Sequence, residues 1–384
     1  MRKIYFDNAA STKIAKEVFD EMMPYLYDFY GNPSSVHGSG KPLKVIIEES
    51  RDVIAGFLKV KPKEIFFTSG GTESNNFSIK GLAFKNMGTR KNHIISSSIE
   101  HPAVLESINY LKDKFGFDVT ILKPDSQGRI TKTNVLSNIR PETFLISIMH
   151  SNNETGVINE IREIGESINH DEIKLHTDSV QSIGKTFFYP VDLKIDFATL
   201  SAHKIYGPKG VGILYIKDGV KIEKYFHGGG QERNMRGGTE NVAGIVGLKK
   251  AIELLQANMQ NDIEHYSRLN DYLRKKLLFD FGDSIIYNSR TERALPNIVN
   301  FSFDINKVSV VEDMFLIQLD MKGIETSGGS ACSSGSLKPS RILLELGRDE
   351  KTAMVSIRIS FGRENTTKEI DYLLDTLNEI VKKK

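Results

Sequence analysis

The chain is 384 residues long, too many for one small hydrophobic core, and the length predicts two domains. Its 39% hydrophobic and 26% charged residues can build a sizeable core, and 51 Lys+Arg against 49 Asp+Glu argue against a broad nucleic-acid surface. The N-terminal "MRKIYFDNAASTK" lacks the apolar run of a signal peptide and no stretch is long enough to span a bilayer. A cytoplasmic protein with no membrane and no direct nucleic-acid partner is expected.

From about residue 60 to 217, short apolar runs alternate with longer helical ones. "EIFFTS", "NHIISSS", "DVTILK", "TFLISIM", "IKLHTD", "DFATLS" and "GVGILYI" read as seven strands, with "TESNNFSIKGLAFKN" and "HPAVLESINYLKDKF" as helices among them. Such alternation predicts parallel βαβ units, an α/β sheet covered on both faces. From Thr239 to about Phe281, Ile252, Leu255, Met259, Ile263, Tyr266, Leu269, Leu273 and Leu277 recur every three or four residues. That spacing predicts a long helix running between domains, broken at most once. The remainder mixes strands ("NIVNFSF", "VSIRISF") with helices ("VEDMFLIQLDMKG", "TKEIDYLLDTLNEIVKK"), a smaller α+β domain. The closing "VKKK" reads as a solvated helix end.

In an open parallel sheet, ligands bind beyond the carboxyl ends of the strands. The residues that follow these strands are Thr68-Ser69-Gly70-Gly71-Thr72, Glu100-His101, Ser151-Asn152-Asn153, Asp178 with Gln181 a turn on, and Ser201-Ala202-His203-Lys204. Five strand ends delivering polar groups to one edge predict a site for a polar, phosphorylated ligand. "TSGGTESNN" has the small residues and helix start of a phosphate cradle, although a plain helix cap has the same pattern. No Walker motif and no G-x-G-x-x-G after the first strand is present, which argues against nucleoside triphosphate and nicotinamide sites.

A lysine held at the mouth of a sheet beside such a cradle suits a Schiff base to a phosphorylated aldehyde, and pyridoxal phosphate is that ligand. Lys204 is the candidate amine. Asp178 is the candidate acid for the pyridinium nitrogen, or else a strand-end cap; His101 could stack on the ring or move protons, or be an ordinary helix-start residue. The nine His show no paired-ligand spacing and a single Cys cannot build a thiolate cluster, so no metal site is expected. The single cysteine, Cys332, cannot form an internal disulfide and sits in "TSGGSACSSGS", among small residues unlike the apolar shelter of a structural thiol.

In "YFDNAAST", "GNPSSVHGSG", "FTSGGTESNN", "SSSIEHPAV", "HSNNETGVI", "HTDSVQSIGK", "SAHKIYGPKGVG", "HGGGQERNMRGGTEN", "SSGSLKPSRIL" and "SIRISFGREN" the chain resembles the cysteine desulfurases of the NifS/IscS type. These are class V aminotransferase relatives among the fold-type I pyridoxal phosphate enzymes. The resemblance implies an aspartate aminotransferase-like fold: a large, mostly parallel seven-stranded sheet domain over residues 12–250, and a smaller domain from residues 1–11 and 251–384 that carries the cysteine loop. It implies that Lys204 holds the cofactor, Asp178 pairs with its ring nitrogen, Gln181 with its phenolic oxygen, and His101 stacks on the ring. Gly71, Thr72, Ser201 and His203 would bind the phosphate, and Thr239 would reach the phosphate of the neighbouring subunit in a homodimer. Asn153, also on the cofactor, and Arg358 would hold the carboxylate of L-cysteine. Cys332 would take the substrate's sulfur as a persulfide and pass it to an acceptor, an iron–sulfur scaffold or a tRNA-thiolation protein, leaving alanine. "SSGSLKPSRIL" matches the long-loop branch, "RGGTEN" is nearer the nitrogen-fixation type, and the C-terminal extension of housekeeping members is missing. The rival expectations are a selenocysteine or C–S lyase on the same scaffold, and a sulfur carrier with incidental turnover.

Overall fold

The computed structural model describes residues 3–328 and 338–384. All seven expected strands lie in one sheet: Ile65–Thr68, His93–Ser97, Asp118–Leu122, Thr143–Ser147, Lys174–Asp178, Phe197–Ser201 and Gly212–Ile216. Across the sheet the order is 65–68, 212–216, 197–201, 174–178, 143–147, 93–97 and 118–122. The sheet is mostly parallel, as expected, but Gly212–Ile216 runs antiparallel to both neighbours. The connection that leads into it, residues 202–211, is shorter than the dozen or so residues a parallel crossover needs, so the chain returns as a hairpin.

Successive strand side chains point to opposite faces. Phe66, Ile94, Leu145, Phe197 and Leu214 accordingly enter one core, with helices Gly71–Asn86 and Pro102–Phe115. Their neighbours Phe67, Ile95, Ile146, Ala198 and Ile213 enter another, with helix Lys41–Leu58. Both faces are covered, and Thr143–Ser147 and Phe197–Ser201 are buried at every residue.

The periodic stretch is one unbroken helix, Val242–Phe281, of 40 residues and about 60 Å. Ile252, Leu255 and Met259 pack into the sheet's core, while Tyr266, Leu269, Leu273 and Leu277 pack into a second core. That second core is built on an antiparallel sheet of Ile298–Phe303 between Ser356–Ser360 and Ile285–Tyr287, with helices Phe315–Met321 and Thr367–Ile380. Ile4 and Phe6 of the N-terminal segment also belong to it, and Ile4–Tyr5 pairs in parallel with Ile324–Glu325. The C-terminal lysines differ from expectation: Lys382–Lys383 leave the helix and pair with Val308–Ser309. Among the described residues no helix is long and apolar enough to cross a membrane.

Candidate active site

The polar strand ends gather at one edge of the sheet. A cavity of about 340 Å³ is lined by Ala10, Ser11, Gly70, Gly71, Thr72, Ser201 and His203, among others. The backbone behind Gly70 is tight because glycines let three backbones meet. A Cβ on Gly212 would sit 2.7 Å from both the Gly70 Cα and the Leu200 carbonyl oxygen. A Cβ on Gly71 would sit 3.0 Å from the Val180 side chain. Gly70 itself has φ +149°, a backbone that glycine adopts without a Cβ penalty. The helix Gly71–Asn86 starts at this point, so its unpaired N–H groups face the cavity.

Lys204 closes a short 3-10 turn directly after strand Phe197–Ser201. Its ammonium donates to the carbonyls of Ala9 at 2.6 Å and Ala10 at 2.7 Å. The Gln181 amide donates to the same Ala9 carbonyl at 2.9 Å, so Lys204 and Gln181 converge on one atom. Asp178, buried at the end of its strand, accepts from the Asn75 amide at 2.7 Å and the Val180 N–H at 3.0 Å. Asn75, on helix Gly71–Asn86, thus aims the carboxylate. His203 lies 3.3 Å from the Ser11 hydroxyl. Burial, with the charges of Lys204 and Lys209, lowers its pKa to about 4, so it is neutral at pH 7.

His101 caps helix Pro102–Phe115, its Nδ1 accepting from the Ala103 N–H at 3.1 Å. The neutral ring then carries its proton on Nε2. The preceding Glu100 is fully buried; its Oε1 accepts from Ser97 and from the Met149 N–H, while Oε2 has no hydrogen-bond partner among the described residues. Burial pushes its carboxyl up to about 8, so it is largely protonated at neutral pH.

Arg358 is 2% exposed and already engaged: one terminal nitrogen pairs with Asp7 at 2.5 Å and the other donates to the Asn153 carbonyl at 2.8 Å. Its Nε and the Asn153 Oδ1 are buried with no hydrogen-bond partner among the described residues. Thr239 is exposed and lines a smaller cavity of about 110 Å³, which shares Ser69 and Gly210 with the larger one. Cys332 lies outside the described residues. The chain on either side of it is anchored at this site. The Ser327 and Gly328 carbonyls accept from the Arg358 N–H and the Ser356 hydroxyl. On the far side Ser340 donates to the Glu154 carboxylate, and Arg341 donates to the carbonyls of Ser98 and Glu100.

The structure therefore brings Gly71, Thr72, Ser201 and His203 to one cavity and sets Lys204, Gln181 and Asp178 on adjoining strand ends. Asn153 meets Arg358 across the two cores. Asp7, the Ala9 and Ala10 carbonyls, Asn75, Glu154 and Arg341 were not singled out from the sequence. Asp7, Asn75, Glu154 and Arg341 lie within "YFDNAAST", "FTSGGTESNN", "HSNNETGVI" and "SSGSLKPSRIL", where side-chain type could have pointed to them; the two carbonyls carry no such signal.

The family profile of aminotransferase class-V matches residues 4–373. The chain belongs to this family, in its cysteine desulfurase branch. It is 44% identical over 382 residues to a cysteine desulfurase IscS of Dictyoglomus turgidum, covering all of this chain and 95% of that one. A cysteine desulfurase IscS of Methanosarcina thermophila is 44% identical over 385 residues, covering 100% and 93%. Among solved structures, a NifS-like protein superposes with a TM-score of 0.90 at 37% identity over 99% of both chains. SspA in complex with cysteine superposes at 0.82 with 38% identity, covering 94% and 99%.

Proposed function

We propose that this family member is a pyridoxal phosphate-dependent cysteine desulfurase that converts L-cysteine to L-alanine and holds the released sulfur as a persulfide on Cys332. The observation that carries the reading is the placement of Lys204 at a strand end directly after the cradle residues Ser201 and His203, with its amine on the same Ala9 carbonyl as Gln181. The residues fit the cofactor. Glycine backbones and a helix N-terminus suit a phosphate, Asp178 offers a buried carboxylate, and Lys204 offers an amine. Gly71, Thr72, Ser201 and His203 would take the phosphate, Asp178 the ring nitrogen, Gln181 the phenolic oxygen, and His101 with Asn153 the ring surface.

When bound, the cofactor supplies an electron sink that acidifies the substrate α-carbon. Arg358 would bind the substrate carboxylate, which must displace or share the Asp7 contact. The Lys204 amine would remove the α-proton, and His101, with its proton on Nε2, can donate to a leaving or developing anion. The Cys332 thiolate would attack the substrate sulfur. The S–S bond forms as the carbon–sulfur bond breaks, the bonding pair stays with the substrate carbon, and that carbon takes a proton on the way to alanine. The product sulfur leaves with Cys332 and passes to an acceptor protein such as an iron–sulfur scaffold or a tRNA-thiolation protein. Thr239 would complete the phosphate site across a homodimer.

The test is Cys332→Ser in the holoenzyme, incubated anaerobically with cysteine. The cofactor spectrum should still respond to cysteine, since Lys204, Asp178 and Arg358 are unchanged. Alanine release should fall by roughly two orders of magnitude or more, as expected for loss of a covalent nucleophile. Release at the wild-type rate would replace this reading with a C–S lyase.

A further inference from the structure

We propose that Lys185 is a positioning residue for Lys204: its amine clamps the turn that presents the reactive lysine and places a positive charge behind it. The inference rests on the reading of Lys204 as the cofactor-bearing amine.

Lys185 is 5% exposed, and its Nζ donates to the Lys204 carbonyl at 3.0 Å. A buried ammonium is stable when it meets a carboxylate, and none among the described residues is within ion-pair range of this one. Among the described residues four charged or titratable groups act on it or face it. Asp262 acts on it from a distance and is itself gripped by Arg363 through three contacts of 2.7 to 3.1 Å. Arg363 and Lys204 add positive charge, and the Tyr206 ring lies with its centroid 6.0 Å away. Burial foremost, then Arg363 and Lys204, lowers the Lys185 amine to about 8, so it is still mostly charged at neutral pH. A residue kept in so unfavourable a place does something there that an apolar side chain would not.

The turn needs a clamp. Two residues after Lys204 the chain enters the left-handed region at Tyr206, with φ +66° in a non-glycine residue. Such a conformation persists only where surrounding contacts impose it. Those contacts are the Thr12 hydroxyl accepting from the Tyr206 N–H at 2.7 Å, the Tyr206–Tyr266 hydroxyl pair at 3.0 Å, and the Arg363 N–H on the Tyr206 hydroxyl at 2.8 Å. All three act on Tyr206. Lys185 adds a side-chain bond to the carbonyl of Lys204 itself. Its charge also couples to that of Lys204 and disfavours two positive charges side by side.

The test uses holoenzyme with Lys185→Met, which keeps an unbranched chain as far as Cε and removes donor and charge, and Lys185→Gln, which removes the charge and keeps a donor. The visible absorbance of the bound cofactor is titrated against pH, cofactor retention is measured by dialysis, and borohydride reduction maps the labelled lysine. The apparent pKa of the Lys204-bound chromophore should rise in both variants. Retention should fall roughly tenfold in Lys185→Met, whose Lys204 carbonyl loses the Lys185 donor, and less in Lys185→Gln. If the methionine variant does not fold, the pKa shift in Lys185→Gln decides. Wild-type pKa and retention, with label on Lys204, would overturn the role of Lys185 alone. Label on a different lysine in the wild type would overturn the reading of Lys204 beneath it.

Discussion

Gly212→Ala puts a methyl group where three backbones already touch. The new carbon would lie 2.7 Å from the Gly70 Cα, 2.7 Å from the Leu200 carbonyl oxygen and 2.9 Å from the Gly70 carbonyl carbon. Ordinary carbon contacts are about 3.5 Å or more, so the backbones must part by roughly 0.8 Å. None of the three atoms belongs to a flexible side chain that could rotate away. Overpacking of this kind costs about 1–3 kcal/mol. At roughly 2–4 °C per kcal/mol for a unit of 150–250 residues, thermal unfolding should fall by about 2–12 °C. Gly70 leads directly into Gly71 and Thr72, so the same displacement reaches the cradle although Gly212 does not line it. A misplacement near 1 Å can cost about 100-fold in a positioned site, so cofactor affinity should drop by one to two orders of magnitude. Circular dichroism gives the first quantity and absorbance after dialysis the second. The control is Gly56→Ala, on an exposed helical position with nothing within 4 Å of the new carbon. It should be neutral or stabilising by up to about 1 kcal/mol. A Gly212→Ala protein that melts with the wild type and keeps its cofactor would refute the argument that close backbone approach builds the cradle.

The loop that carries Thr239 is held by a buried ion pair, Arg51 with Glu232 at 2.9 Å, and Glu232 also accepts from the Phe67 N–H at 2.8 Å. Glu232→Gln should destabilise by the lower part of the roughly 3–5 kcal/mol seen when one partner of a buried pair is lost, read as a shift in denaturant midpoint. Glu48→Gln, which touches the same Arg51 from a half-exposed site, should cost under about 1 kcal/mol. Glu100 predicts a pH dependence. Its folded pKa is raised to about 8, so its contribution is complete below the ordinary carboxyl range and is lost as pH rises from about 4.5 to 8. Glu100→Gln should therefore gain stability relative to wild type across that window, by at most about 1.4 kcal/mol per pH unit, in unfolding curves taken at pH 5 to 9. A constant difference over that range would mean that Glu100 is ionised in the fold.

The strands and helices were legible because one repeat encodes each: alternate residues for the sheet faces, every third or fourth for the helices. Strand direction has no such signature, so the reversal at Gly212–Ile216 was not anticipated, and the short connection before it accounts for it only once the fold is known. The single 40-residue helix was legible in position and not in continuity, since its apolar face changes from one core to the other near Met259–Tyr266. At the site, residues that end strands were readable from order alone: Asp178, Gln181, Ser201, His203 and Lys204. Groups that act through space were not. Asn75 reaches Asp178 across 103 positions, Lys204 meets Ala9 across 195, and Arg341 meets Ser98 across 243. Backbone carbonyls carry no residue-type signal, so Ala9 and Ala10 were invisible until the chain was folded.

Those distant partners tie the site to assembly of the two cores. Phe6 is packed in the second core, and the chain continues from it through Asp7, Ala9 and Ala10 into the sheet's ligand edge. Arg358 lies in the second core's sheet and reaches back to Asn153, while Ser340 and Arg341 grip Glu154 and the Ser98–Glu100 turn. The contacts of Lys204 with Ala9 and Ala10 and of Arg358 with Asn153 join the N-terminal segment and the second core to the sheet, while Ser340 and Arg341 precede Ile342, which packs in the sheet's own core. The sheet domain supplies most of the cradle: Ser201 and Gly212 lie on its strands and Gly70 leads into helix Gly71–Asn86, while Ala10 and Ser11 of the N-terminal segment also line the cavity. The sheet domain cannot seat the amine of Lys204 or the guanidinium of Arg358 without the second core. Phosphate binding and substrate chemistry therefore depend on different parts of the fold. Loosening the contacts between cores should weaken the handling of L-cysteine before it weakens the hold on the phosphate.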